Sequence, residues 1–265
     1  MSESPSTLHH VSSKDGTSIG FDRLGHGQAV ILVTGGSVDR MSNAGVAALL
    51  ASDFTVYNYD RRGRGDSGDT LPYAVAREIE DIDAVVTAAG GSAFLYGTSS
   101  GAALALAAAE QLKDRITRLA LWEPPFILDE QARPPSDTAK VYNEFVAAGR
   151  RGDAVEYFMA KVVGMPADFV AWAKTQPFWA GQEKIAHTLA YDATVMADYS
   201  LPVQRAAAVT TPTIVLAGAA SFGFLPVTAR ALAAAMPNAQ LRILDGQSHD
   251  VAPDAMAPVL KEFFA

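Results

Sequence analysis

At 265 residues the chain sits near the upper limit for one hydrophobic core, and its 49% hydrophobic and 19% charged residues match an ordinary globular protein. No uncharged apolar run reaches the ~18 residues of a membrane span, and the lack of cysteine excludes disulfides, thiolate metal sites and a cysteine nucleophile. A formal net charge of −8 argues against nucleic acid as a partner, since phosphate binding draws on accumulated Lys and Arg.

The first residues, MSESPSTLHH, carry neither the basic region nor the apolar stretch of a signal peptide, so a cytoplasmic location away from membranes is expected. LHHVSS and TSIGFDRL, split by Asp15-Gly16, read as a hairpin. AVILVTGG, Ala29 to Gly36, reads as a buried strand ending in glycines, with MSNAGVAALL as the helix behind it. FTVYNYD is a further strand, closed by a Gly-rich turn from Arg61 to Gly68. A helix is expected from Tyr73 to Ala89, with the acidic run REIEDID on its solvated face. The strand AFLYG, a helix from Gly101 to Leu112 and the strand ITRLALWE from Ile116 follow.

From Phe126 to about Leu201 this rhythm gives way to helical patterns rich in Trp, Phe, Tyr and Met, punctuated by Pro134, Pro135, Pro166 and Pro177. PTIVLAG, VTARALAAAM, AQLRIL and APVLKEFF then restore the alternation of strand and helix. Such alternation argues an α/β protein with a largely parallel sheet covered by helices. Residues 1–125 and 202–265 are expected to form the core of one domain, and 126–201 an inserted helical cap.

Gly97-Thr98-Ser99-Ser100-Gly101 fits G-x-S-x-G and falls between a predicted strand and a predicted helix. A serine on such a turn projects its oxygen only if nearby side chains are missing, which accounts for the glycines. Ser99 is the candidate nucleophile. Ser100, at the positive N-terminal end of the helix, is a candidate backbone N–H donor to an oxyanion. The loop Thr34-Gly35-Gly36-Ser37 offers Gly36 as the second donor.

Of five histidines, His9, His10 and His26 lie in early surface segments, and His187 lies in the cap, facing either pocket or solvent. His249 follows the last strand, at the carboxyl edge of the sheet where the Ser99 turn also lies, and is the candidate general base. The acid is harder to place. The customary position after the penultimate strand is empty, because residues 213–240 contain no Asp or Glu. Glu123, at the end of the strand after the nucleophile helix and fixed by Pro124-Pro125, can orient the imidazole from a neighbouring strand end. Asp245 is a rival, and Asp250 a weaker one because it is too close in sequence to point back at His249. Phe126, Trp179 and Phe222, together with His187, are candidates to line an apolar pocket, as are Phe158, Trp172, Phe178, Tyr191 and Phe224.

The order Ser99, Glu123, His249, the elbow and the cap together resemble the α/β-hydrolase superfamily over essentially the whole chain. YDRRGRGDSGDT, Tyr59 to Thr70, looks like the turn after the fourth strand in many members. The resemblance implies an eight-stranded, mostly parallel sheet and a Ser–acid–His triad. Members with the acid after the sixth strand, as Glu123 would be, include haloalkane dehalogenases and a fungal-toxin lactone hydrolase; the dehalogenases use an aspartate nucleophile, which Ser99 does not match. Two departures stand out: Thr34 replaces the His common before the oxyanion glycine, and the standard acid position is vacant.

The arginine-glycine segment from Arg61 to Gly65 mimics an RNA-binding motif and Arg64-Gly65-Asp66 an adhesion tripeptide, but in so acidic a chain a structural turn explains both. Adjacent His9 and His10 would point to opposite faces of a strand, so no metal site is expected. The expectation is a cofactor-independent serine hydrolase acting through an acyl-enzyme on a small, apolar ester, lactone or thioester. Lyase, perhydrolase or carbon–carbon cleavage by the same residues, and a non-catalytic small-molecule sensor, are the alternatives. A small-molecule substrate is the expected partner, and a homodimer stays open.

Overall fold

The computed structural model describes residues 7–265. Eight strands form one sheet: β1 (Thr7–Ser12), β2 (Ser18–Gly25), β3 (Gln28–Val33), β4 (Phe54–Tyr59), β5 (Ala93–Thr98), β6 (Ile116–Trp122), β7 (Thr213–Gly218) and β8 (Ala239–Leu244). Their spatial order is β1-β2-β4-β3-β5-β6-β7-β8. The β1–β2 hairpin and the β2–β4 pair are antiparallel, and every other pairing is parallel. The central strands are largely apolar because both sheet faces are covered; β4 and β7 are buried at every residue.

One face packs against α1 (Ala44–Leu50) and, at the other end of the chain, α11 (Pro253–Phe264); Val46, Leu50, Met256, Leu260 and Phe264 meet Val30, Leu32, Val56 and Trp122 there. The expected helix behind β3 opens as a 3₁₀ turn, Arg40–Asn43, before α1 begins. The other face packs against α2 (Val75–Ala88), α3 (Ser100–Leu112), α9 (Val203–Ala208) and α10 (Phe224–Ala235). α3 is buried from Ser100 to Ala109, and its run of alanines lets its axis approach the sheet centre closely.

Between β6 and β7 the chain forms α4 (Thr138–Ala147), α5 (Arg151–Tyr157), a π-helical segment (Phe158–Val163), α6 (Ala167–Ala173), α7 (Trp179–Lys184) and α8 (Leu189–Met196). These helices share an apolar cluster of their own, with Tyr142, Val155, Trp179, Leu189 and Tyr191 among its members.

The acidic run of α2 corrects the sequence expectation. Glu78 and Asp81 are each 1% exposed. Arg61 meets Glu78 through two 2.7 Å contacts, and Arg62 meets Asp81 at 2.7 and 2.6 Å. The turn after β4 carries these guanidiniums under α2, so the helix buries its acids against paired cations instead of solvating them. Arg61, Arg62 and Arg64 are all buried, which makes the arginine-glycine segment a structural turn.

Candidate active site

Three chain segments converge at the carboxyl edge of the sheet. Ser99 stands between β5 and α3 with φ 53° and ψ −127°, a backbone conformation that non-glycine residues rarely adopt. Its N–H donates to the Trp122 carbonyl at 2.8 Å, and its own carbonyl accepts from Ala102 N–H at 2.9 Å as the helix begins. The flanking glycines are required by close approach. A Cβ on Gly97 would come 2.6 Å from the Gly101 carbonyl oxygen, and one on Gly101 would collide with the backbone oxygens of Val33 and Thr34.

Glu123, one residue past β6, is fully buried and also has positive φ, 45°. Its N–H donates to the Leu216 carbonyl at 3.0 Å. Oε1 accepts from the Gly218 N–H at 2.7 Å; Oε2 accepts from the Ser221 hydroxyl at 2.9 Å and meets His249 Nδ1 at 2.6 Å. The place after β7 that carries no acid is therefore occupied by groups that hold one belonging to the neighbouring strand. His249 is steadied from below by Trp122, whose Nε1 donates to the His249 carbonyl at 2.9 Å. Asp245 and Asp250 are both exposed.

Ser99 and His249 line one cavity of about 810 Å³. Among the described residues no hydrogen bond joins Ser99 Oγ to the imidazole; in sites without substrate such contacts are commonly long and tighten when a ligand is bound. Gly36 and Ser100 line the same cavity. Its apolar wall comes from Phe158, Met159, Val162, Met165, Phe169 and Phe178 of the segment between β6 and β7, with Phe222, Phe224 and Leu225 completing it.

Of the pocket residues expected from sequence, Phe158, Phe178, Phe222 and Phe224 line the cavity, and the Phe222 ring centroid stands 6.3 Å from that of His249. The other five do not: Trp172 is exposed and Tyr191 stacks on Tyr73, and the remaining three lie elsewhere. Phe126 is buried in the core under the sheet. Trp179 packs in the cluster of the inserted helices, with Nε1 donating to Glu183 Oε1 at 3.0 Å. His187 turns away to Asp69, 3.5 Å from Oδ2. Phe126 and Trp179 are buried in the apolar clusters of their own layers, and His187 is drawn to the Asp69 carboxylate.

One residue with no role in the sequence reading stands at the cavity wall. Asp192 of α8 takes contacts from Arg61 Nη1 and Arg64 Nη2 at 2.7 Å each, and its Oδ1 accepts from the Ser100 hydroxyl at 2.8 Å. Burial on its own would raise this carboxyl, but the guanidiniums of Arg64 and Arg61 outweigh burial and hold it below the usual carboxylate range. In the sequence Asp192 is a lone acid in the apolar stretch LAYDATVM, with nothing local to name its partners.

A family model described as "Alpha/beta hydrolase family" matches residues 20–262. The chain is 51% identical to an alpha/beta hydrolase from Sphaerobacter thermophilus, whose crystal structure superposes with a TM-score of 0.90, covering 97% of this chain and 100% of that one. An enol-lactonase from Burkholderia xenovorans shares the fold at 20% identity, with a TM-score of 0.74 and coverage of 97% and 99% of the two chains. N-formylmaleamate deformylase from Pseudomonas putida is 38% identical over 104 residues, 38% of this chain and 39% of the relative's length. With the family model matched over most of its length, the chain belongs to the alpha/beta hydrolase family.

Proposed function

We propose that the protein is a cofactor-independent serine hydrolase that cleaves neutral, largely apolar carboxylic esters, lactones or thioesters. The observation that carries this reading is the 2.6 Å contact between a buried Glu123 and Nδ1 of His249, which lines the same cavity as Ser99. With Nδ1 occupied by the carboxylate, the proton-accepting nitrogen is Nε2, the tautomer that general-base catalysis needs. Ser99 Oγ attacks the carbonyl carbon while its proton passes to His249 Nε2. The N–H groups of Gly36 and Ser100 hold the developing oxyanion. As the tetrahedral intermediate collapses, the carbon–oxygen or carbon–sulfur bond breaks and the leaving group takes the proton from His249. Water, deprotonated by the same imidazole, then hydrolyses the acyl-enzyme and returns Ser99.

Helices α4–α8 serve in this reading as a cap that roofs the acyl pocket. The substrate class is supported by the cavity wall: its ionisable members are Asp192, His249, Asp250, Tyr96 and Tyr199, with no Lys or Arg to pair a substrate carboxylate. A small molecule is the proposed partner and the cytoplasm the proposed location. No helix among the described residues is long and apolar enough to cross a membrane.

A panel of p-nitrophenyl esters, lactones and thioesters with neutral acyl groups, assayed beside carboxylate-bearing esters and N-formyl amides, tests the proposal by product analysis. Neutral substrates should be turned over with kcat/KM at least ~10-fold above their anionic counterparts, a margin of about 1.4 kcal/mol. Preference for the anionic set, or products of elimination or carbon–carbon cleavage without hydrolysis, would contradict it.

A further inference from the structure

The loop that carries Gly36 is gripped from both sides. From the core, Arg64 Nη1 donates to the carbonyls of Gly35 at 2.5 Å and Val38 at 3.2 Å. From α7, Gln182 Nε2 donates to the Ser37 carbonyl at 2.9 Å, while the Ser37 hydroxyl donates back to Gln182 Oε1. Ser37 has φ 58°, so the loop sits in a conformation its neighbours must hold. Asp192 of α8 completes the enclosure. Its Oδ1 takes the Ser100 hydroxyl at 2.8 Å, and its Oδ2 would lie 3.1 Å from a Cβ built on Gly36. One carboxylate thus abuts both backbone positions proposed to bind the oxyanion, and it comes from the cap, 92 residues from Ser100.

We infer that Asp192 is a positioning residue for the oxyanion hole, setting the separation of the Gly36 and Ser100 N–H groups from the cap side. Its contacts require a carboxylate. Two guanidiniums and one hydroxyl all donate to it, so every partner needs an acceptor. An asparagine would turn an NH₂ toward one of these donors. The inference rests on the reading of Ser99 as nucleophile and of Gly36 and Ser100 as donors. It adds that the cap, besides roofing the pocket, fixes part of the machinery beneath it. Misplacement of aligned groups by about 1 Å can cost on the order of 10²-fold in rate.

The test compares wild type, Asp192→Asn and Gln182→Ala. For each, the rate constant of Ser99 phosphonylation by a fluorophosphonate probe, the fraction of protein finally labelled, and kcat and KM on p-nitrophenyl acetate are measured. In phosphonylation Ser99 Oγ bonds to phosphorus, fluoride leaves, His249 takes the proton, and the phosphoryl oxygen occupies the oxyanion position, so no natural substrate is needed. Asp192→Asn should label roughly 10- to 100-fold more slowly. The fraction finally labelled should stay near that of wild type, and kcat should fall in parallel while KM holds within about twofold.

A purely structural role would lower the labelled fraction and leave the rate constant of the remainder intact; that result overturns the inference. So does an unchanged rate, which would mean that the carboxylate is not needed to place the donors, or a faster one, which would mean that it acts only through its charge. If Asp192→Asn does not accumulate as folded protein, Gln182→Ala decides: its kcat should fall about 3- to 10-fold with KM retained, and an unchanged kcat defeats the inference. Equal labelling of variants and wild type overturns the positioning role alone, whereas wild type that does not label at Ser99 removes the nucleophile reading and the positioning role with it.

Discussion

Ser99 adopts a positive φ of 53° that is costly for any residue with a side chain, on the order of 1–3 kcal/mol. Glycine escapes that cost, so Ser99→Gly should unfold at a higher urea concentration than wild type, by about 1 kcal/mol, while losing all esterase activity. A variant that is less stable than wild type would show that the turn is not strained. Glu123 carries the other decisive contact. Glu123→Gln keeps the shape but offers an NH₂ in place of a carboxylate, so turnover should fall by about 10²–10⁴, whereas Asp245→Asn should leave it within about twofold. The reverse ranking would reassign the acid. The meeting of Glu123 with His249 was legible because residues 213–240 lack any acid, leaving few carboxylates at the right edge. Asp192 was not: its partners lie at least 92 residues away, and nothing local marks it as paired.

At the scale of elements, α2 shows how composition can mislead where periodicity does not. Glu78, Asp81, Ile82 and Val85 fall at i, i+3, i+4 and i+7, one stripe of the helix, and all four are buried. Reading REIEDID by composition put its acids in water; reading it by helical position puts two of them on the apolar stripe, where they need cations. Arg61 and Arg62 meet that need from the turn after β4. Removing one member leaves an uncompensated buried charge, so Glu78→Gln or Asp81→Asn should each lose about 3–5 kcal/mol in urea unfolding. Lys140→Ala, which deletes an exposed i,i+4 partner of Glu144, should leave the midpoint essentially unchanged. Similar losses for all three variants would show that the α2 pairs contribute no more than surface ones.

For the molecule as a whole, strand and helix order was readable because each strand is a short apolar run bounded by turn residues, while the pocket was not. Which of the expected aromatics face a cavity depends on how the inserted helices lie across the sheet, which no local pattern encodes; Phe158, Phe178, Phe222 and Phe224 do so, whereas Phe126, Trp179 and Tyr191 pack in the cores. The link between those helices and the sheet also sets an acid dependence. Asp192 is held below its unfolded value of ~3.9, so its contribution to stability is present above that pH and is lost as pH falls through the lower, folded value. The melting temperature of wild type should therefore exceed that of Asp192→Asn at pH 7, and the gap should close below about pH 4; a gap unchanged at pH 3 would contradict this. The most direct test of the central claim, that an activated Ser99 works with His249, is mass-spectrometric mapping of a fluorophosphonate adduct on wild type, Ser99→Ala and His249→Ala. A single adduct on Ser99 in wild type, absent from Ser99→Ala and formed at least about 10²-fold more slowly in His249→Ala, is expected; labelling of Ser99→Ala at the wild-type rate would contradict it.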